Sequence, residues 1–418
     1  MIRVVRKAQR VVITGMGVLS PLGAGVSRNL LALRQHCSAL TCESFRWGSF
    51  SRDHIVGRVP STAYASGGFD PSEWFSVKEL RRFDRFIQLG IVAAHEAVQQ
   101  ARLADLDAAS RADVSVSIGS GIGGLDTIAG AAANVPGQGR PFYLPSVLIN
   151  SCAGEVARRY GFRGAAEGNA ASCATGTIAI GKAFQAIRDG YSTVVIAGAS
   201  EAAVSAAGVK VFADLNALAA SKPHAPNAAS RPFDAERSGF VLSEGAAIVV
   251  LEARDHAIAR HAPIFGEIVG FAQSTDAHDL IAPDPKGLGA ERAMRGALAD
   301  AALMPHEVEW INAHATGTPL GDDIEITAIE HVFAGQSKTV ISSIKGLTGH
   351  TLGASGAIEV VLGLAALRFG MVLPNYNLER PSRQTFLRRP KQAEPYRSGY
   401  CLSNSFGFGG VNASLIMQ

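Results

Sequence analysis

Two stretches of this 418-residue chain, 160 residues apart, carry one pattern. Arg237-Ser238-Gly239-Phe240-Val241-Leu242-Ser243 returns as Arg397-Ser398-Gly399-Tyr400-Cys401-Leu402-Ser403, and each copy then passes through glycine into an apolar strand, residues 245–251 and 410–417. Short glycine/serine/aromatic matches also arise by coincidence. The shared apolar endings favour a duplicated α/β unit, because a repeated supersecondary unit buries its hydrophobic face against its own copy. The boundary then falls after a helical stretch at 254–261, near Pro263, giving halves 1–262 and 263–418.

The rest of the pattern alternates strand and helix. Residues 10–17 read as a buried strand entering a glycine turn, with a helix near 27–33; residues 37–72 read as irregular. Residues 78–103 read as one helix, with Phe83, Phe86, Ile87, Ile91, Ala94 and Val98 at helical spacing. Residues 114–118 and 193–197 read as strands and 177–187 as a helix, which together imply an α/β protein with covered sheets.

With 47% hydrophobic and 18% charged residues, the chain is neither disordered nor a coiled coil. A net charge of +3 gives no argument for nucleic acid, yet suits an acidic protein partner. The five cysteines are irregularly spaced without a C-x-x-C pair, which excludes a disulfide framework and a zinc ribbon. Arg3, Arg6, Lys7 and Arg10 precede an apolar run too short for a signal segment, and no stretch of about 18 apolar residues exists. The expectation is a cytoplasmic protein with no membrane span.

Four segments could carry chemistry. Gly168-Asn169-Ala170-Ala171-Ser172-Cys173-Ala174-Thr175-Gly176 places Cys173 at the start of a helix, where unpaired N–H groups and the helix dipole stabilise a thiolate nucleophile; a buried structural cysteine is the alternative. His314 falls where the chain leaves the short strand at Trp310-Ile311, and Thr316, Thr318, Asp322 and Glu325 follow it. A metal set of His314, Asp322 and Glu325 is conceivable there, but the i, i+4 histidine pair of a zinc helix is absent. Lys345, His350 and Glu359 share a segment of small residues that implies close helix packing, and it lacks the phosphate-loop pattern. Asn404-Ser405-Phe406-Gly407-Phe408-Gly409-Gly410-Val411-Asn412 sets two phenylalanines among glycines, as a mobile gate or a plug. The glycine loop Gly121-Ile122-Gly123-Gly124 fails as a dinucleotide fingerprint.

In this order, and with Arg10-Val11-Val12-Ile13-Thr14-Gly15-Met16-Gly17, Arg231-Pro232-Phe233-Asp234, Gly239-Phe240-Val241 and Glu244-Gly245 between them, these segments resemble the β-ketoacyl-acyl-carrier-protein synthases of the thiolase superfamily over essentially the whole chain. The resemblance implies an α/β, duplicated thiolase-like fold, layered α-β-α-β-α, with the nucleophile in the first half and both histidines in the second. It implies an acyltransferase. Cys173 takes an acyl chain as a thioester, and malonyl-carrier protein loses carbon dioxide. His314 and His350 bond the enolate oxygen, and a 3-oxoacyl product two carbons longer forms. Lys345 and Glu359 match a buried support network, and the backbone N–H groups of Cys173 and Phe408 an oxyanion hole. Thr316, Thr318, Phe406, Phe408 and Ile122 match substrate-binding positions, Phe408 as the gate and Ile122 in the acyl pocket.

No metal and no cofactor are implied beyond the phosphopantetheine of an acyl carrier protein, for which Arg81 and Arg82 offer a basic docking patch; a merely solvated helix face is the alternative. A homodimer is implied, or a heterodimer with a related subunit. Ser172, Ala315, Gly317, Gly346, Ser238 and Val411 depart from common family residues without removing the nucleophile or a histidine. Asn216 and Ile281 stand near positions where primary-metabolism relatives carry carrier-contacting Arg and Thr. Fatty-acid elongation is the main expectation, and these changes make a specialised polyketide or aryl-polyene pathway the alternative. A degradative thiolase would need a second catalytic cysteine, and Cys401 reads as part of a strand.

Overall fold

The structure, a computed structural model, describes residues 8–132, 142–221, 224–336, 338–396 and 399–418. Its principal strands are β1 (Val11–Ser20), β2 (Leu40–Trp47), β3 (Phe50–Gly57), β4 (Ser115–Gly119), β5 (Ala166–Glu167), β6 (Val194–Glu201) and β7 (Leu242–Ser243). They continue as β8 (Gly245–Ala253), β9 (Gly266–Thr275), β10 (Val308–Asn312), β11 (Val340–Ser342), β12 (Tyr400–Gly407) and β13 (Val411–Met417). Ten of these form one continuous path, β11-β10-β12-β13-β9-β1-β8-β6-β4-β5.

That path is two copies of one five-stranded sheet joined edge to edge through β1 and β9. From β1 outward the order is β1-β8-β6-β4-β5, and from β9 outward β9-β13-β12-β10-β11. In each copy the first three strands pair antiparallel and the outer pairs are parallel. The copies meet through Val11, Val12 and Ile13 against Ile268, Glu267 and Gly266. Helices α1 (Arg85–Gln100) and α2 (Ser151–Tyr160) cover the first copy, while α4 (Leu288–Asp300) and α5 (Pro319–Val332) cover the second; α3 (Thr175–Arg188) and α6 (Ser355–Arg368) pack together between them. One apolar cluster surrounds the central helices and reaches both sheets, and each outer helix layer has a cluster of its own. This is the duplicated thiolase-like architecture in its five layers.

The heptapeptide pattern that suggested duplication is not its structural basis. Leu242–Ser243 lies outside the central sheet, in a three-stranded sheet with β2 and β3, whereas residues 400–403 lie inside it as part of β12. Only the endings correspond, β8 to β13; Arg397 and Ser398 lie outside the described residues. The true counterpart of β12 is β6, which shares no such sequence pattern.

Three further expectations are corrected. Gly15 and Gly17 do not turn the chain, since β1 runs straight through both. A Cβ there would stand 2.1 Å from the Ala97 carbonyl oxygen and 2.0 Å from that of Ala93, so glycine lets α1 lie directly on the strand. Residues 40–57, read as irregular, form the β2–β3 hairpin; its outward face is polar enough to hide the alternation. The helix expected over 78–103 is broken. A Ser76–Glu79 capping box starts a short helix at Val77–Leu80, and Asp84 caps a new one by accepting from the Phe86 N–H at 3.2 Å. Arg81 and Arg82 therefore stand exposed in a turn rather than on a helix face, the Arg82 guanidinium 4.0 Å from the Phe142 ring centroid. Arg3, Arg6 and Lys7 lie outside the described residues. No helix among the described residues is long and apolar enough to cross a membrane.

Candidate active site

Cys173 sits in the 3₁₀ turn Ser172–Ala174 at the head of α3, behind Ser172, whose φ of 48° turns the chain sharply. His314 lies just beyond β10, and His350 just before α6. The two sheet copies bring the three together: Cys173 Sγ is 3.0 Å from His350 Nε2, and the two imidazoles meet edge-on with centroids 5.4 Å apart. All three line a cavity of about 550 Å³ whose walls are mostly apolar. Thr316, Thr318, Ile122, Phe406 and Phe408 line it too, as do Asn216 and Ile281.

The remaining expected residues lie elsewhere. Lys345 and Glu359 are buried, 1% and 2% exposed, and paired with each other behind the histidines. Neither side chain makes a hydrogen bond to either imidazole among the described residues, and the Lys345 charge acts on both histidines electrostatically. Burial pushes the Glu359 carboxyl up to about 7, against the pull of Lys345. Arg81 and Arg82 do not line the cavity.

Burial works against the helix-start effect expected at Cys173. A cysteine opening a helix reads as a stabilised thiolate, yet burial pushes the Cys173 thiol up to about 12; the Lys345 charge opposes that rise without cancelling it. The resting group is a protonated thiol with a proton acceptor at 3.0 Å. Both histidines are held well below their ordinary value, first by burial and then by the Lys345 charge. Neutral imidazoles can accept the thiol proton or donate to a developing oxyanion.

Backbone contacts fix the triad. The segment Val241–Ser243 straps His350 in place: the His350 N–H donates to the Val241 carbonyl at 2.7 Å, and the Ser243 N–H donates to the His350 carbonyl at 3.0 Å. The Phe240 ring stands edge-on to the imidazole at 5.2 Å. Gly407 lies against the Cys173 amide; a Cβ there would come 2.9 Å from that nitrogen, so the 404–412 loop could not approach with any larger residue.

Glu325 and Asp322, weighed as metal ligands with His314, are spent on backbone donors instead. Glu325 accepts from the His314 and Ala315 N–H groups at 2.9 and 2.7 Å and from Asn404 at 3.2 Å; Asp322 accepts from the Phe233 and Gly317 N–H groups. Glu325 thus positions the histidine loop. Burial pushes its carboxyl up to about 7, above its unfolded value, so the folded state binds its proton more tightly. The resulting stability is full in acid and is lost as pH rises from about 4.5 through 7. Glu325→Gln is expected to remove up to about 3 kcal/mol of that decline. Thermal denaturation of both proteins from pH 5 to 8 checks this, since Glu201 and Glu359 shift alike in each; parallel curves would refute it.

Two contributors escaped the sequence reading. Ser355, the first residue of α6, holds His350: its Oγ is 2.9 Å from Nδ1 and accepts from the Thr351 N–H at 3.0 Å. The one available signal was a hydroxyl residue five positions after the histidine. Removing it leaves Nδ1 buried and unpartnered. Ser355→Ala is expected to slow turnover about tenfold with the fold retained, as stopped-flow rates across pH would show; a wild-type rate and pH profile would make the hydroxyl only a helix cap. Glu201 is the second. Its carboxylate accepts from Ser120 Oγ and from the N–H groups of Gly121, Ile122 and Gly353 at 2.7–3.3 Å, tying the Ile122 loop to the segment after His350. No local pattern reveals it, because its donors come from two distant loops.

Comparison with known proteins decides the family. Residues 8–257 match the N-terminal domain of β-ketoacyl synthase and residues 265–379 its C-terminal domain. The chain belongs to the β-ketoacyl synthase family. It is 38% identical to 3-oxoacyl-[acyl-carrier-protein] synthase 2 of Rhizobium meliloti (strain 1021), over 98% of this chain and 99% of that protein. A solved β-ketoacyl synthase from Burkholderia phymatum STM815 superposes with a TM-score of 0.88 at 30% identity, covering 98% of this chain and 99% of that one. A type II polyketide ketosynthase, solved with its acyl-carrier protein and bound to the hexaketide, superposes with a TM-score of 0.85 at 29% identity, covering 99% and 100%.

Proposed function

We propose that this synthase condenses an acyl thioester with malonyl-acyl-carrier protein to give 3-oxoacyl-carrier protein and carbon dioxide, in fatty-acid elongation. The observation that carries it is the Cys173–His350 contact at 3.0 Å beside His314, at the wall of an apolar cavity. His350 Nε2 takes the thiol proton as Sγ attacks the donor thioester, and the departing carrier thiolate takes that proton away. Malonyl-carrier protein then loses carbon dioxide. The enolate oxygen accepts hydrogen bonds from His314 and His350. The enolate carbon attacks the Cys173 thioester, whose carbonyl oxygen is held by the N–H groups of Cys173 and Phe408, and the sulfur leaves as a thiolate that takes a proton from solvent. Lys345 and Glu359 set the field around the histidines, while Thr316, Thr318 and Phe406 line the approach to them.

No cofactor is proposed besides the carrier's own phosphopantetheine, with Arg81 and Arg82 as one carrier contact. A homodimer is the proposed assembly, and the two halves divide at residues 262/263, in the stretch between β8 and β9. Asn216 and Ile281, both at the cavity, favour a second reading, a ketosynthase of a specialised pathway working with a partner subunit. Intact-protein and product mass spectrometry with saturated and polyene acyl-carrier proteins plus malonyl-carrier protein tests both. A 3-oxo product two carbons longer supports the enzyme, and the preferred donor selects the pathway. An absence of acylation by every donor overturns it.

A further inference from the structure

The donor set at the head of the cavity has a second chemical capacity. We propose that Cys173, His314 and His350 form a binding site for a thiophilic divalent cation, with zinc the best fit, whose occupation shuts out the acyl thioester. One sulfur and two imidazole nitrogens lie within 4.8 Å of one another. A tetrahedral zinc ion needs sulfur–nitrogen and nitrogen–nitrogen edges of about 3.3–3.6 Å. The 3.0 Å contact between Cys173 and His350 must therefore open by roughly half an ångström, with His314 closing on the ion.

Three features make the set a ligand cage rather than a chance cluster. Ser355 already holds the far nitrogen of His350, the outer support that orients a metal-binding imidazole. His314 Nδ1 is buried and has no hydrogen-bond partner among the described residues, so no bond seen there opposes a small rotation of that ring. All three residues border the cavity, leaving a fourth position for water, as in zinc sites built from three protein ligands. Thiolate with imidazole selects zinc over magnesium or calcium, which prefer oxygen donors.

Binding replaces the thiol proton by the metal: Cys173–SH and Zn²⁺ give the zinc thiolate and one proton released to solvent. An acylated Cys173 has no thiolate to offer, so acyl chain and cation exclude each other. This capacity rests on the donor geometry and not on the condensation reading.

The test titrates the full-length protein, first freed of metal by a chelator, with Co²⁺ and then Zn²⁺. One equivalent of cobalt with a thiolate-to-metal charge-transfer band, displaced by zinc, is the expected result, together with release of one proton. Cys173→Ser preserves the size of the side chain and is expected to abolish the band and weaken zinc binding by about 100-fold or more; Ser355→Ala is expected to weaken it about tenfold. A band that survives in Cys173→Ser places the metal on another thiol, such as exposed Cys37 beside His36, and overturns the proposal. So does zinc binding that leaves iodoacetamide labelling of Cys173 unslowed. Condensation measured separately in chelator reports on the enzymatic reading alone, so the two can fail independently.

Discussion

Cys173→Ala is expected to abolish acyl-enzyme formation, with condensation falling by at least about 10⁴-fold. Four other cysteines do not replace it. Cys152 and Cys401 are buried, and burial holds both thiols far above the ordinary range, while Cys37 and Cys42 do not line the cavity. The thiol at position 173 is itself no ready thiolate, since burial pushes it up to about 12. Its reactivity depends on a partner that removes the proton during attack. Intact mass after incubation with an acyl donor is the measurement. An acyl adduct on any other residue of the variant would end the nucleophile assignment.

The two histidines are expected to separate the half-reactions. His314→Ala should load the acyl chain at near wild-type rate yet lose about 10³-fold in malonyl decarboxylation, because its ring faces the site without touching Cys173 Sγ at hydrogen-bond range. His350→Ala should lose decarboxylation similarly and in addition acylate about 10²-fold more slowly at neutral pH, since its Nε2 is the acceptor 3.0 Å from the sulfur. Acylation by that variant should climb with pH, up to tenfold per unit, as hydroxide does what the imidazole did; the wild type, with its base in place, should climb less steeply. Single-turnover acylation and radiolabelled carbon dioxide release measure the two steps apart. Equal acylation rates in both variants would remove His350 from the proton transfer, and normal decarboxylation in either would remove that histidine from the enolate step.

Much of the candidate site was legible because several local signals, each ambiguous alone, fall in one order along the chain. Cys173 follows a run of small residues at a helix start, His314 stands where a strand ends, and His350 opens a segment of glycines and alanines. Each signal lies within about ten residues of sequence, and their order along the chain matched one family. Ser355 and Glu201 were missed for the opposite reason. A serine at the start of an apolar helix and a glutamate at the end of a buried strand are ordinary in isolation. They acquire a role only when His350, or the loops at 120–122 and 353, arrive beside them. Lys345 illustrates the middle ground. It is buried, as the resemblance implies, but its action on both imidazoles through charge is a matter of distance that no spacing reveals.

The thiol inverts a local rule. At a helix start the dipole favours the thiolate, and on that ground Cys173 reads as pre-activated. The surrounding apolar wall removes water from the sulfur, and that desolvation pushes the thiol up against the pull of the Lys345 charge. The dipole belongs to the local chain, whereas the wall is assembled from both halves.

The same division runs through the fold. By itself the sequence determined the alternation of strands and helices and the burial of both sheet faces, because periodicity and glycine placement are short-range properties, and the ordered motifs singled out Cys173, His314 and His350 as candidates through their resemblance to one family. It also pointed to duplication, though through a heptapeptide whose two copies occupy different sheets. Only the tertiary structure decided which strands are equivalent, that two five-stranded sheets join along β1 and β9, and that a thiol from one half meets an imidazole from the other at 3.0 Å. Those facts depend on contacts between residues more than a hundred positions apart, and such contacts are set by packing across the whole core rather than by any one segment.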